Sequence, residues 1–102
     1  MDGREYCNTE IFAPSCRHGL VIIATNASYG RMTINRCANG DNIGCKNDVL
    51  RIVDSRCSGR QHCSLSVTNP EMAENSVCNG QFVQYLDAEY TCVKSKKTFR
   101  FN

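Results

Sequence analysis

Eight cysteines in a chain of 102 residues constrain this sequence more than anything else in it: Cys7, Cys16, Cys37, Cys45, Cys57, Cys63, Cys78 and Cys92. A domain of this size buries too little apolar surface to be more than marginally stable on its core alone. An even cysteine count in such a chain reads as a disulfide framework, here four bridges. Structural zinc wants ligands in close C-x2-C steps, whereas the nearest pair, Cys57 and Cys63, has five residues between. A redox enzyme wants a low-pKa C-x-x-C pair, which is missing as well. The framework places the chain in an oxidising compartment, outside the cell, with no metal and no cofactor expected.

Met1-Asp2-Gly3-Arg4-Glu5 leads into no apolar run, so it does not read as a secretory leader, and no stretch approaches the length of a membrane span. The expectation is a domain excised from a longer protein, with an added start and no insertion of its own into a membrane. Net charge is +2, and Lys94, Lys96, Lys97 and Arg100 follow the last cysteine. Residues 94–102 read as a basic tail or linker stub and not as a nucleic-acid patch.

The chain is organised around Gly19 to Cys37. Leu20-Val21-Ile22-Ile23-Ala24 is β-branched and too short for a helix, so it reads as a buried strand. It delivers Asn26-Ala27-Ser28-Tyr29-Gly30-Arg31 as a polar surface loop presenting Tyr29 and Arg31. Before it, Pro14 argues for an edge strand or loop. After it, Asn39-Gly40-Asp41-Asn42 and Gly44 are dense turn signals, so 36–46 reads as an irregular loop. One clear helix is expected, capped by Asn47 or Asp48, carrying Val49, Ile52, Val53 and Cys57, and closed by Gly59. Cys63 to Thr68 alternates as a half-buried strand that Asn69-Pro70 stops. Residues 71–75 read mostly as loop. Phe82 to Cys92 reads as a final strand with Leu86, Ala88, Tyr90 and Cys92 on one face and Tyr85, Asp87, Glu89 and Thr91 on the other. The fold class is α+β: a small, disulfide-rich, antiparallel β-sandwich-like domain with one clear helix and long loops.

These features resemble the sea-urchin-egg-lectin, or rhamnose-binding (galactose-binding) lectin, domain family, found also in latrophilin-type adhesion receptors. The resemblance is carried by Cys7 and Cys16, by Ala27-Ser28-Tyr29-Gly30-Arg31 matching the family's Tyr-Gly-Arg motif, by the helix ending in Cys57, by Cys57-Ser58-Gly59-Arg60-Gln61-His62-Cys63, and by Tyr85-Leu86 to Tyr90-Thr91-Cys92. It covers residues 6–93. It implies the pairings Cys7 with Cys37, Cys16 with Cys92, Cys45 with Cys78 and Cys57 with Cys63, which spacing alone leaves open.

Sugar sites in the family are built on the Tyr-Gly-Arg tyrosine, an asparagine after the third strand, a glutamate following the first cysteine, an Asp-Pro-Cys aspartate and a lysine before the final Tyr-Leu. Tyr29 and Asn69 match. The three charged positions hold Asn8, Ser76 and Gln84, and Gly80 lies in the lengthened loop between the last two. Glu71 or Glu74 could bring a carboxylate back, although solvated loop charges are the plainer reading. Tyr29 is weighed towards ligand contact, so that its truncation is expected to spare the fold; Arg31 is weighed towards a structural role. His18 and His62 have no serine or carboxylate at a motif spacing, so no enzyme is expected. Asn26-Ala27-Ser28 is an N-glycosylation sequon whose glycan would crowd Tyr29. The functional expectation is an extracellular recognition module binding a rhamnose- or galactose-like carbohydrate through an altered, weakened site. The alternative is a protein-protein adhesion module, with a cell-surface protein as partner and a vestigial sugar site.

Overall fold

The computed structural model describes residues 4–74, 76–78, 80 and 82–95. Asn75, Asn79 and most of the expected basic tail lie outside them. Strands β1 (Glu5–Tyr6), β2 (Ile11–Phe12), β3 (Leu20–Arg31) and β4 (Cys45–Asp48) are followed by helix α1 (Leu50–Cys57), strand β5 (Leu65–Ser66), the short helix α2 (Pro70–Ala73) and strand β6 (Tyr85–Lys94). A four-stranded sheet has the order β1-β6-β3-β4, and β2 pairs with β5 in a second, two-stranded sheet. Every pairing is antiparallel. No helix among the described residues is long and apolar enough to cross a membrane.

β3 is longer than its sequence suggests. The expected surface loop from Asn26 to Arg31 is strand, paired with β6 on one side and β4 on the other. A bulge between Ala24 and Asn26 is what reconciles the two readings. Ile22 and Ala24 face the core before it; the extra residue resets the alternation, so that Ala27, Tyr29 and Arg31 face the core after it. Gly30 allows the close approach of β4, since a Cβ there would stand 2.4 Å from the Cys45 carbonyl oxygen and 2.9 Å from the Lys46 Cα.

α1 begins later than its capping residues predict. Asn47 and Asp48 are held in β4, so the first helical residue is Leu50; the Asp48 carboxylate still accepts the Leu50 N–H at 2.9 Å. Cys45 to Asp48, expected partly as loop and partly as helix cap, therefore supplies an edge strand. At the other end Gly59 follows the helix at φ 89° and its N–H reaches the Ile22 carbonyl at 2.7 Å, while Ser58 Oγ accepts the Ala24 N–H. α1 is thereby fixed across β3, with Val53 and Cys57 fully buried.

The core gathers Phe12, Ile22, Val53, Leu65, Val67, Met72 and Leu86 around that contact. Tyr6 packs edge-on against Phe12 with ring centroids 5.0 Å apart. Leu65 and Val67 face inward as their alternation predicts, although only Leu65–Ser66 is paired as strand. Pro70–Ala73 is helix, capped by Asn69, and places Met72 in the core. In β6 Leu86 and Ala88 are buried as expected, but so is Tyr85, whose hydroxyl accepts the Thr33 N–H at 3.0 Å. Lys94, expected to open a linker, ends β6 opposite Leu20.

Four disulfides join Cys7 to Cys37, Cys16 to Cys92, Cys45 to Cys78 and Cys57 to Cys63. These are the pairs that the resemblance implies.

Candidate functional site

Tyr29 and Arg31 are buried on β3 and not presented on a surface loop. Tyr29 lies between Leu86 of β6 and Asn47 of β4, only 8% exposed, and burial pushes its phenol pKa up. It belongs to the core cluster. Tyr29→Ala is therefore expected to destabilise the domain by about 3 kcal/mol, the low end for truncating a buried aromatic. Thermal unfolding checks this: a fall in Tm of roughly 10 °C or more is expected for a domain of this size, while an unchanged Tm would return Tyr29 to a ligand-contact role alone.

Arg31 has the structural role that its sequence context suggests. Its guanidinium donates to the carbonyls of Val83 at 2.6 Å, Asn39 at 2.7 Å, Asp41 at 3.0 Å and Asn42 at 3.2 Å, and stacks over Phe82 at 5.3 Å. One buried cation thus ties the 39–42 turn to the segment that enters β6.

That segment carries Gln84, 9% exposed, whose Oε1 accepts the Ser76 hydroxyl at 2.8 Å. Ser76 Oγ in turn accepts the Cys78 N–H at 3.2 Å, and Cys78 is bonded to Cys45 of β4. The Val77 N–H donates to Asn47 Oδ1 at 3.3 Å, and Asn47 faces Tyr29 across the strand pair. Ser76, Gln84, Asn47 and Tyr29 therefore come together at one end of the four-stranded sheet. By sequence Asn47 is a candidate helix cap; its place here follows from the β3–β4 pairing, for which the turn-rich sequence before it carries no signal.

Asn8 lies at the same end, two residues beyond Tyr6, which pairs with Leu86, itself two residues after Gln84. Half-buried, it sits in a turn closed by the Glu10 N–H on the Cys7 carbonyl and by Glu10 Oε1 accepting the Cys7 N–H, both at 2.8 Å. Among the described residues no hydrogen bond links Asn8 or Asn69 to the Ser76–Gln84 pair. Asn69 accepts the Glu71 N–H at 2.9 Å as the cap of α2. Gly80 is exposed, with open space around it. Glu71 pairs with Arg56 of α1, and Glu74 faces Arg51 and Ser55 across a shallow cleft.

The turn around Asn8 carries its own pH dependence. Arg36, bonded to Glu10 at 2.8 Å, and then the Cys7 N–H hold the Glu10 carboxyl down at about 2. A depressed carboxyl contributes stability above its unfolded value, and that contribution disappears as pH falls through the folded one. The Tm should therefore drop between about pH 4.5 and pH 2. In Glu10→Gln this part of the acid slope is expected to vanish; an identical slope in both proteins would contradict the assignment.

Asn26 is exposed opposite Glu89 and alternates with the inward Ala27 and Tyr29, so a glycan there would leave from the opposite face of the sheet. The expectation that it crowds Tyr29 is corrected. His62 does meet a serine: Ser15 Oγ lies 2.8 Å from His62 Nδ1 across an isolated bridge. Both side chains are exposed, and no carboxylate bonds the ring among the described residues.

Comparison with known proteins adds a second line of observation. The family profile described as "D-galactoside/L-rhamnose binding SUEL lectin domain" matches residues 14–92. The chain is 29% identical over 103 residues to a rhamnose-binding lectin of Silurus asotus, covering 86% of this chain and 32% of that protein. It is 28% identical over 97 residues to Latrophilin Cirl of Drosophila ananassae, covering 90% of this chain and 6% of that one. With the L-rhamnose-binding lectin SML of Scomberomorus niphonius the identity is 28% over 101 residues, 84% of this chain and 48% of the lectin. The chain thus spans less than half the length of each of these relatives.

Proposed function

The chain belongs to the D-galactoside/L-rhamnose-binding SUEL lectin domain family, and from that premise we propose that it is an extracellular carbohydrate-recognition module with a weakened sugar site. The site is the sheet end where Ser76 and Gln84 meet, with Tyr29 and Asn47 behind them, Asn8 and Gly80 at the margin, and Asn69 positioned by α2. The domain extends to residues 6–93, because Tyr6 packs on Phe12 and Cys7 is tied to Cys37. The reading is of binding, not of catalysis.

One observation carries the weakened site. Where the family pattern has an aspartate and a lysine, this chain has Ser76 and Gln84 hydrogen-bonded to each other at 2.8 Å. A neutral pair that satisfies itself offers a sugar hydroxyl less than two charged groups do, since charge-assisted hydrogen bonds are about twice as strong. A sugar must also break or share the existing bond, which lowers the gain further.

The test is an NMR titration of the isotope-labelled chain with L-rhamnose and D-galactose. Weak, saturable shifts are expected at Asn47, Ser76 and Gln84, in the range of about 1 mM or weaker. Shifts confined to another surface would refute the placement. No shift anywhere at high sugar concentration would favour the second reading, a protein-recognition module in which the closed Ser76–Gln84 pair is the remnant of a sugar site.

A further inference from the structure

At the opposite end of the sheet a cleft of about 500 Å³ opens beside the start of β3, floored by Leu20 and Val21 and walled by His18, Gly59, Arg60 and Gln61. Among the described residues no carboxylate lines it. Arg17 lies in the turn that bonds back to Leu20, and Lys94 pairs with Leu20 across the strands. Of the other arginines among the described residues, Arg51 on α1 is also exposed without an ion pair but does not line this cleft, and the rest are engaged. Arg4, Arg36 and Arg56 are each ion-paired, and Arg31 is spent on carbonyls. Arg17, Arg60 and Lys94 are exposed and have no carboxylate partner among the described residues.

We propose that this cleft is a second binding site, separate from the Ser76–Gln84 end, for the anionic groups of an acidic saccharide, with sulfate esters held by Arg17 and Arg60. Guanidinium groups bind sulfate through paired N–H donors, and unpaired ones concentrated on one rim attract a polyanion. The floor is aliphatic, suited to the C–H face of a sugar ring, and among the described residues the lining has no aromatic on which a nucleobase would stack. Gln61 donates through Nε2 to the Cys16 carbonyl at 3.1 Å, which leaves its Oε1 to accept a sugar hydroxyl. An extended acidic peptide fits less well. It would add to a free strand edge, and here the Ile22 N–H donates to Arg60, its carbonyl accepts from Gly59, and the Gly19 carbonyl accepts from Ser95.

The experiment is a titration of the full labelled chain with a heparin hexasaccharide, its desulfated counterpart and hexaglutamate, at low and at physiological salt. Amide shifts at His18, Gly19 and Arg60 are expected with the sulfated sugar, weakening as salt rises. The double variant Arg17→Gln, Arg60→Gln should bind at least about tenfold more weakly at an unchanged Tm, both side chains being exposed. Equal binding of the desulfated sugar, hexaglutamate binding as tightly as the sulfated sugar, or full affinity in the double variant would each overturn the proposal. So would loss of binding in Lys96→Gln, Lys97→Gln, Arg100→Gln, because the charge would then reside after the domain and not in the cleft.

Discussion

Strong reductant is expected to unfold this domain at ambient temperature, with loss of its near-ultraviolet circular dichroism and of its dispersed amide spectrum. The reason is the ratio of cross-links to core. A chain of this length has a net stability of roughly 5–15 kcal/mol at most. On the chain-entropy account the Cys16–Cys92 link, spanning a separation of 76 residues, contributes about 4 kcal/mol by itself. Cys7–Cys37 and Cys45–Cys78, at separations of 30 and 33, contribute somewhat less each, and Cys57–Cys63, at 6, about 2 kcal/mol. Their sum matches or exceeds the whole stability, so the reduced chain has little left to hold it. Replacing each pair by alanines should lower Tm most for Cys16–Cys92. Alkylation of the folded protein should find no free thiol, and peptide mapping should recover the four pairs. A fully reduced chain that keeps its dispersed spectrum would show the core to be sufficient alone.

How far the sequence could be read depended on whether a signal was local. The cysteine count, the β-branched run at Leu20 to Ala24, the alternation around Leu65 and Val67, and the Gly59 stop are local, and each corresponds to an element in the structure. Tyr29 and Arg31 were misplaced because the bulge at Ala24 and Asn26 is a property of the pairing with β6; read without it, a polar, glycine-containing hexapeptide looks like a loop. Asp48 accepts the Leu50 N–H but is not the cap: a tertiary pairing with Ser28 holds it in a strand, the N-cap falls on Val49, and the helix starts two residues beyond Asp48. Within the site, the two residues that meet, Ser76 and Gln84, come from the family pattern, whereas the Asn47 contact could not be seen because β4 lies in turn-rich sequence. Glu71, a candidate replacement carboxylate, is drawn away by Arg56 fifteen residues earlier, a partner that helical spacing alone does not reveal.

Restoring charge at the three altered positions is expected to raise sugar affinity a hundredfold or more. Hydrogen bonds to charged groups are worth about 1.5–3 kcal/mol, against about 1 for neutral ones, and each 1.4 kcal/mol is about a tenfold change in affinity. Asn8→Glu, Ser76→Asp and Gln84→Lys together replace three neutral partners. Ser76→Asp and Gln84→Lys convert the existing 2.8 Å contact into an ion pair that holds both side chains at the site. At a middle gain of about 1.3 kcal/mol per position, all three together exceed the roughly 2.8 kcal/mol that a hundredfold needs, whereas two fall just short of it. Gln84 is nearly buried, so the lysine is tolerable only with the aspartate opposite it, and Gln84→Lys alone should lower Tm. The single substitution should therefore lower Tm where the triple keeps it, which separates a site effect from a general loss of fold.

Calorimetric titration of L-rhamnose into the unmodified domain and into the triple variant, at matched concentration and with the Tm of each confirmed, tests the central claim most directly. The account predicts binding at about 1 mM or weaker for the unmodified chain and at least about hundredfold tighter binding for the folded triple variant. Submillimolar binding by the unmodified chain, or no gain in a triple variant that keeps its Tm, would contradict the claim that the neutral Ser76–Gln84 pair is what weakens this site.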